Sequence, residues 1–453
     1  MLLTRTHPKT IVGLIVCLAV SAFADEAAQQ KLNAQAAALY RQDKFAEAAQ
    51  VGRKAVEEAE RNLGDFPRAL PTAMSNLAEF ERAQGHYTEA EDLLKNALLN
   101  DEKLLGTNHP DVAVDLNNLG LLYDNLRRYA EAESLYKQAL EIDTNTLGPE
   151  HPDVAVDLNN LAELYRAQDK LAAAEPLCKR AVAIWQKKGS RNELALATGL
   201  GNLAALLIAE GKPSGAEPAL KRSLALWQKA GPAGVSQLAP TWRRLGLVYV
   251  SLGNYTNAET CYSNDVAMVE KTAGDESQLA KDLGNLGLSL CLQRNYAAAE
   301  VPLQRALDLS QKIHGSNALM VASSLTQLAE VYRAEAKYSL AEPLYKRALA
   351  IDETIPDPQH NVAANDLRNL ATVYETEHRL AEAELLWRRL LALKEAALGP
   401  DSPQLVPILD SCVAVLRHEG CEQEARLFEA RADALRAKSI KPSLSSSQPK
   451  AEH

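Results

Sequence analysis

The sequence is poor in aromatic residues and in residues that favour β-strands. Phe, Trp and Tyr make up 5% of the 453 residues, although apolar residues as a whole make up 47%. Most of the apolar residues are Ala and Leu, which are strong helix formers, whereas strands favour β-branched and aromatic side chains. The composition therefore predicts an all-α fold.

A long basic stretch is also absent. The 49 Lys and Arg residues are outnumbered by 59 Asp and Glu residues, and the formal net charge is −10. Proteins that bind nucleic acid by charge carry a basic patch or stripe. The charge balance therefore argues against nucleic acid as a general partner.

Catalytic motifs are missing as well. The sequence contains no HExxH, GxSxG or CxxC motif and no glycine-rich phosphate loop. His and Cys come together only in His418-Glu419-Gly420-Cys421, with Cys412 nearby. A turn in a terminal cap is the simpler interpretation of this segment, and a metal or thiol site is the alternative. We predict a protein without enzymatic activity, cofactor or bound metal.

Only one apolar run stands out. It extends from Ile11 to Val20, follows Arg5 and Lys9, and precedes Ala22-Phe23-Ala24. This order is typical of a signal peptide with a small-x-small cleavage site. We predict cleavage of residues 1–24 and export to the periplasm or the cell exterior; an uncleaved anchor is the alternative. No later segment reaches the roughly 20 apolar residues that a membrane span needs.

The cysteines give no disulfide framework. Five cysteines remain after residue 24, which is an odd number, and their spacing is irregular: Cys178, Cys261, Cys291, Cys412 and Cys421. An oxidising compartment would still allow one or two bridges. Cys412 and Cys421 would lie on the two helices of one hairpin and form the most favourable pair.

A 42-residue repeat organises the chain. DVAVDLNNLGLLY begins at Asp111, and DVAVDLNNLAELY begins 42 residues later at Asp153. The framework leucine of this motif recurs in eight units: Leu77, Leu119, Leu161, Leu203, Leu245, Leu286, Leu328 and Leu370. Gln35 and Cys412 take its place in the outermost units. The frame predicts ten units over residues 25–438, followed by a disordered Ser- and Pro-rich tail over residues 439–453.

Small residues recur at two places in each unit. One follows the framework leucine, as in Gly120 and Ala162, and another lies 13 residues after that leucine, as in Ala132 and Ala174. Leu and Tyr recur between them at helical spacing. Each unit is therefore predicted to be two amphipathic helices that approach closely through their small residues.

These columns resemble the tetratricopeptide repeat, and LNNLGLLY, AEAESLYKQAL and the linkers LGTNHPDVA and LGPEHPDVA resemble its kinesin light chain type. The resemblance implies an all-α solenoid, a right-handed superhelix whose concave groove binds a protein or an extended peptide. In the linkers, Pro110 and Pro152 suit the first position of a helix. We interpret His109 and His151 before them as turn residues and not as metal ligands.

A column of polar residues directly precedes the framework leucine. It consists of six asparagines, one glutamine and one arginine: Asn76, Asn118, Asn160, Asn202, Arg244, Asn285, Gln327 and Asn369. The resemblance implies that this column lines the groove, where an amide can both donate to and accept from a peptide backbone. The alternative is that each amide bonds a neighbouring helix or caps a turn.

Two further columns bear on binding. Six residues after the amide column lie Arg82, Asp124, Arg166, Ile208, Val250, Cys291, Arg333 and Glu375, charged at both ends and apolar in the middle. Trp185 and Trp227 share a second column with Asp143, Asp352 and Lys394, and those charged residues indicate a partly exposed position. The two tryptophans are predicted to be neighbours, by local packing or as a contact patch.

We predict a non-catalytic scaffold that binds a protein or peptide through its groove. A structural subunit of an envelope export or assembly complex is the first alternative. An enzyme that uses the terminal Cys/His segment is the second.

Overall fold

The structure is a computed structural model, and it describes residues 27–64, 66–272, 275–354 and 361–440. The predicted signal peptide and residues 441–453 of the predicted tail lie outside the described residues. The last helix continues to Ile440, two residues past the predicted end of the repeats.

The described residues form α-helices and short 3₁₀ turns and contain no β-strand, which confirms the all-α solenoid of helix pairs. The twenty α-helices are α1 (Ala27–Tyr40), α2 (Phe45–Arg61), α3 (Ala69–Ala83), α4 (Tyr87–Leu105), α5 (Pro110–Asn125), α6 (Tyr129–Leu147), α7 (Pro152–Ala167), α8 (Leu171–Lys188), α9 (Glu193–Ala209), α10 (Pro213–Lys229), α11 (Val235–Ser251), α12 (Tyr255–Lys271), α13 (Glu276–Leu292), α14 (Tyr296–His314), α15 (Leu319–Ala334), α16 (Tyr338–Asp352), α17 (Asn361–Thr376), α18 (Leu380–Leu398), α19 (Val406–His418) and α20 (Glu422–Ile440).

The chain divides into two compact units between Val248 and Tyr249. In the N-terminal unit, helices α1 to α10 each pack on the next one along the chain; in the C-terminal unit, helices α12 to α20 do the same. Helix α11 supplies residues to both units. Odd-numbered helices carry the framework leucine and are called first helices; even-numbered helices are called second helices.

The predicted small residues bring the two helices of a pair together. A Cβ atom built on Gly120 would lie 2.7 Å from Cε1 of Tyr136, and one built on Gly287 would lie 2.4 Å from Cγ of Leu303. Real Cβ atoms do not approach other atoms so closely, so Tyr136 or Leu303 would have to shift to admit a side chain at either position. The alanines of the second small column are fully buried: Ala90, Ala132, Ala174, Ala216, Ala258, Ala299, Ala341 and Ala383.

The linkers behave as the sequence predicts. Pro110 and Pro152 begin α5 and α7, where a missing backbone N–H costs nothing. The Nδ1 atom of His109 accepts a hydrogen bond from the Asp111 backbone N–H at 3.1 Å, and His151 caps α7 in the same way. This confirms their interpretation as turn residues.

A polar clasp joins a glutamate on a second helix to the repeat that follows it. In the C-terminal unit, the Tyr374 hydroxyl donates to Oε1 of Glu342 at 2.9 Å, and Arg379 bonds the other oxygen of Glu342 at 2.8 Å. Tyr123, Glu91 and Arg128 repeat this arrangement in the N-terminal unit. Each carboxylate is thus held by the repeat that follows it.

Candidate peptide-binding surface

The amide column lies on first helices in both units. Asn76, Asn118, Asn160, Asn202 and Arg244 belong to the N-terminal unit, and Asn285, Gln327 and Asn369 belong to the C-terminal unit. All eight residues are partly exposed, whereas six of the eight framework leucines that follow them are buried. Each column side chain therefore lies at the boundary between the helix core and solvent.

Three of these amides bond the preceding first helix, and one of them is Asn369, whose Nδ2 donates to Oε1 of Glu330 at 3.5 Å. Nδ2 of Asn160 donates to Oδ1 of Asn117 at 3.2 Å, and Nδ2 of Asn202 donates to Oδ1 of Asn159 at 3.1 Å. Asn117 in turn donates to Oδ1 of the buried Asp157. For Asn160, Asn202 and Asn369, the alternative of a bond to a neighbouring helix therefore holds.

Other members of the column have no such bond. Asn76, Asn118 and Asn285 make no side-chain hydrogen bond within the described residues. Because an amide has both donors and an acceptor, these three side chains can bond a ligand without giving up an existing partner. The column therefore contains bonded and unbonded amides.

Arg244 differs from the amides in both charge and surroundings. Its guanidinium faces Gly201 of α9, where an added Cβ would lie 3.7 Å from one terminal nitrogen. Burial lowers the pKa of Arg244, although the charge of Glu163 opposes that effect. Glu163 already pairs with Arg166 at 2.8 Å, and Arg244 has no hydrogen bond or ion pair within the described residues. A partly buried cation without a partner is costly, so this position favours an anion.

Several members of the second predicted column are neutralised inside the protein. Arg82 pairs with Glu79 at 2.6 Å and Arg166 pairs with Glu163 at 2.8 Å, while Glu375 accepts a hydrogen bond from the indole N–H of Trp387. Asp124 differs from the other charged members of this column. Burial and the nearby charge of Glu163 raise its pKa to about 6. Much of the predicted charge at the two ends therefore serves intramolecular pairs.

The terminal Cys/His segment does not form a site. Cys412 is fully buried in the core, and burial raises the pKa of its thiol to about 12. Cys421 and His418 are exposed, and Cys412 and Cys421 are not bonded to each other. All five cysteines in the described residues are free. The prediction that Cys412 and Cys421 form the most favourable disulfide pair is wrong, because Cys412 occupies the framework position and is buried in the core.

Both tryptophans are buried, which corrects the expectation that they occupy a partly exposed position. Trp185 is 3% and Trp227 is 7% exposed, and Asp143 and Asp352 in the same column are also buried. The contact-patch hypothesis for the tryptophans is therefore wrong. The charge of Asp143 and Asp352 did not indicate exposure, because acidic residues on the next first helix face them.

That second acidic column was missed by sequence reasoning. It lies four residues before the framework leucine and contains Asp115, Asp157, Asp282 and Asp366, all of them buried. A signal was present, because residues four apart share one face of a helix. Asp115 and Asp157 are therefore on the same face as the buried framework leucines.

One cluster has the residue types of a metal site. Ligand atoms of Glu81, His86 and Glu89 lie within 4.8 Å of one another. However, the guanidinium of Arg53 bonds Glu81 and lies 3.5 Å from Glu89, and Nδ1 of His86 lies 2.7 Å from Glu81. A cation would have to compete with Arg53, so the cluster is better described as an ion-pair network.

The fold and the amide column define a helical-repeat protein. Comparison of the sequence with known protein families identifies its family. The sequence model of the tetratricopeptide repeat family matches overlapping stretches that together span residues 69–229 and 237–396. The chain belongs to the tetratricopeptide repeat family. No curated protein matches the sequence.

Several solved structures are similar to this chain. RapI in its apo form is 14% identical, with a TM-score of 0.57 over 81% of this chain and 97% of that one. The tetratricopeptide repeat sensor protein of the STAND class from Pyrococcus horikoshii is 15% identical, with a TM-score of 0.53 over 84% and 55%. BtubC (BKLC) from P. vanneervenii is 26% identical, with a TM-score of 0.45 over 51% and 93%.

Among the described residues, none of the helices combines the length and the apolar character that a bilayer crossing requires.

Proposed function

We propose that this protein is a non-catalytic scaffold that binds an extended peptide segment of a protein partner along the amide column. The observation that carries the proposal is the set of partly exposed, unbonded amides at equivalent positions of successive first helices, namely Asn76 and Asn118 in the N-terminal unit. Amides at a regular spacing suit a peptide backbone, which offers donors and acceptors at a regular spacing.

Arg244 narrows the chemistry of the ligand. Its unpaired guanidinium takes the place of an amide in the column and lies opposite Gly201. A carboxylate matches the planar donors of arginine and forms a charge-assisted hydrogen bond. The peptide in the N-terminal unit is therefore expected to present an Asp or Glu side chain, or a terminal carboxylate, at Arg244.

We also propose a site of action on the basis of residues 1–24. We place the mature protein outside the cytoplasm, since Arg5, Lys9, the apolar run and Ala22-Phe23-Ala24 have the order of an export signal.

A library selection tests the binding proposal. Random linear peptides displayed on phage are selected on the purified protein, and affinities are then measured for synthetic versions. Removing two amides in the double variant Asn76→Ala/Asn118→Ala should weaken binding about 5- to 150-fold, at about 0.5–1.5 kcal/mol for each hydrogen bond. The melting temperature should be unchanged, because neither amide has a partner in the protein.

Asn96→Ala is the matched control, since Asn96 is an exposed amide on the second helix α4. It should bind the selected peptides as the wild type does. Failure to enrich any peptide, or equal affinity of the wild type and the double variant, would contradict the proposal. For Arg244, the variant Arg244→Asn should bind peptides without the preference for Asp and Glu.

A second candidate is a structural subunit that uses the second helices. Three apolar residues at equivalent positions of α14, α18 and α20 are largely exposed: Val301 at 65%, Leu385 at 67% and Leu427 at 72%. Large apolar residues that recur at one exposed position favour a protein contact. If Leu385→Asp and Leu427→Asp abolish a stoichiometric complex purified from envelope extract while Asn76→Ala/Asn118→Ala does not, this candidate replaces the first.

A further inference from the structure

Buried carboxyl groups face each other where one repeat packs on the next. In the N-terminal unit, Asp101 of α4 meets Asp115 of α5, and Asp143 of α6 meets Asp157 of α7. In the C-terminal unit, Asp352 of α16 meets Asp366 of α17. Members of each pair are 14 residues apart, and every one is less than 9% exposed.

One neutral donor from the preceding first helix reaches each pair. The Ser75 hydroxyl donates to Oδ1 of Asp115 at 3.1 Å, and the Thr326 hydroxyl donates to Oδ1 of Asp366 at 2.7 Å. Asn117 donates to Oδ1 of Asp157. No N–H or hydroxyl group in the described residues donates a hydrogen bond to the second oxygen of these three aspartates or to Oδ1 of Asp143.

The charged groups that act most strongly on Asp115, Asp157 and Asp366 are all acidic. Asp111 faces the first pair, while Arg68 and His109 act on Asp101 from the exposed side. Asp153 faces the second pair, and Glu330 faces the third. Burying two carboxylates side by side without a cation is very costly. A proton held between the two carboxyl groups removes one charge and satisfies the oxygens that lack a donor.

Four other junctions between repeats have no acidic residue at the same two positions, so packing at this place does not require acidic residues. The same two positions hold Ala59 with Ala73, Trp185 with Gly199, Trp227 with Thr241, and Ser310 with Ser324. At the last junction, the two serine hydroxyls hydrogen-bond at 3.3 Å. The hydroxyl groups of the serine pair carry their own protons, whereas the three acidic pairs require an added proton to form the same kind of bond.

We propose that each of the three carboxyl pairs binds one shared proton in the folded protein, so that the junctions between these repeats loosen as the pH rises. Burial, followed by the charge of the partner, raises the pKa of Asp115 to about 8. Burial also raises the pKa of Asp157 and of Asp366 to about 8.

The direction of the pH effect follows from these shifts. The folded pKa lies above the unfolded value, so the folded protein holds a proton that the unfolded chain has released. The stabilisation is complete below about pH 4, declines as the pH rises and is lost through about pH 8. Over that window, each pair should raise the unfolding equilibrium constant of its unit by about tenfold per pH unit.

The test compares urea unfolding of the wild type and a triple variant between pH 5 and pH 9. Asp101→Asn, Asp143→Asn and Asp352→Asn replace the second-helix members and keep the bonds from Ser75, Asn117 and Thr326. The amide donates a hydrogen bond at every pH, so the triple variant should lose most of the decline in stability that the wild type shows. Asp308→Asn, at an exposed carboxylate on α14, should keep the wild-type decline.

Hydrogen exchange of the wild type gives a second measurement that does not depend on the variants. After correction for the intrinsic pH dependence of exchange, protection around the α6–α7 junction should fall as the pH rises to 9. The α14–α15 junction, with Ser310 and Ser324, should stay protected. Equal pH dependence of the wild type and triple variant would overturn the proposal. So would stabilisation by calcium or magnesium at pH 8 that the triple variant lacks, since a cation and not a proton would then occupy the pairs.

Discussion

Trp185 of α8 packs against the backbone of α9 at Gly199, where a Cβ atom would lie 2.4 Å from Cζ3 of the indole. The large side chain on one helix therefore requires the absence of one on the next. At the equivalent place in the preceding junction, the carboxyl groups of Asp143 and Asp157 occupy the same space.

This contact predicts the effect of Gly199→Ala. The added methyl group should displace the indole of Trp185 and destabilise the N-terminal unit by about 1–3 kcal/mol, as overpacking does. Gly201→Ala is the control on the same helix, because its nearest neighbour would lie at an ordinary 3.7 Å. Urea unfolding measures both variants. A Gly199→Ala protein as stable as Gly201→Ala would contradict the packing.

The destabilisation should also be local. In a repeat array, stability is approximately a sum of repeat and nearest-neighbour terms. Hydrogen exchange in Gly199→Ala should therefore increase in α8 and α9, while α3 and α4 keep their protection. A uniform loss of protection through the N-terminal unit would show instead that the unit unfolds as one cooperative core.

Asn160 and Asn118 should differ in their effect on stability. Asn160→Ala removes the donor to Asn117, whose own amide bonds the buried Asp157. It should cost about 0.5–1.5 kcal/mol, whereas Asn118→Ala should leave the free energy of unfolding unchanged. Thermal unfolding of the two single variants, without ligand, checks this. Equal melting temperatures would mean that the relay through Asn117 does not stabilise the stack.

The clasp at Glu342 should make the C-terminal unit sensitive to acid. The hydrogen bond from Arg379 holds the pKa of Glu342 at about 2, below its ordinary value of 4.5. The lowered pKa means that the stabilisation is present above about pH 4.5 and is lost as the pH falls toward 2. Glu342→Gln should remove this acid-dependent loss in urea unfolding. Glu382→Gln, at a half-exposed partner of the same arginine, should change little. An unchanged acid dependence in Glu342→Gln would count against the clasp.

Cleavage between Ala24 and Asp25 is the remaining prediction. Exported protein should have a mass that corresponds to a chain beginning at Asp25, as measured by intact mass spectrometry. Recovery of protein that still begins with Met1 would rule out the cleaved signal. Replacing Ala24 with a bulky residue should block the processing.

The sequence by itself determined the fold to a large extent. The 42-residue spacing of the framework leucines and of residues such as Gly120 and Ala132 predicts helix pairs, because a helix buries one face and close helices need small residues there. Pro110 and His109 likewise predict where α5 begins. These signals are local or strictly periodic, so they can be read without knowing which residues are neighbours in space.

Only the tertiary structure decided which polar residues are exposed. Asn118 and Asn160 occupy the same column, yet only Asn160 has a partner, because Asn117 lies within reach on the preceding repeat. Asp143 looked exposed because it is charged, but it is buried against Asp157. Exposure and protonation depend on what the next helix places opposite a residue, and that neighbour is fixed by the packing of helices and not by the periodicity of either helix alone.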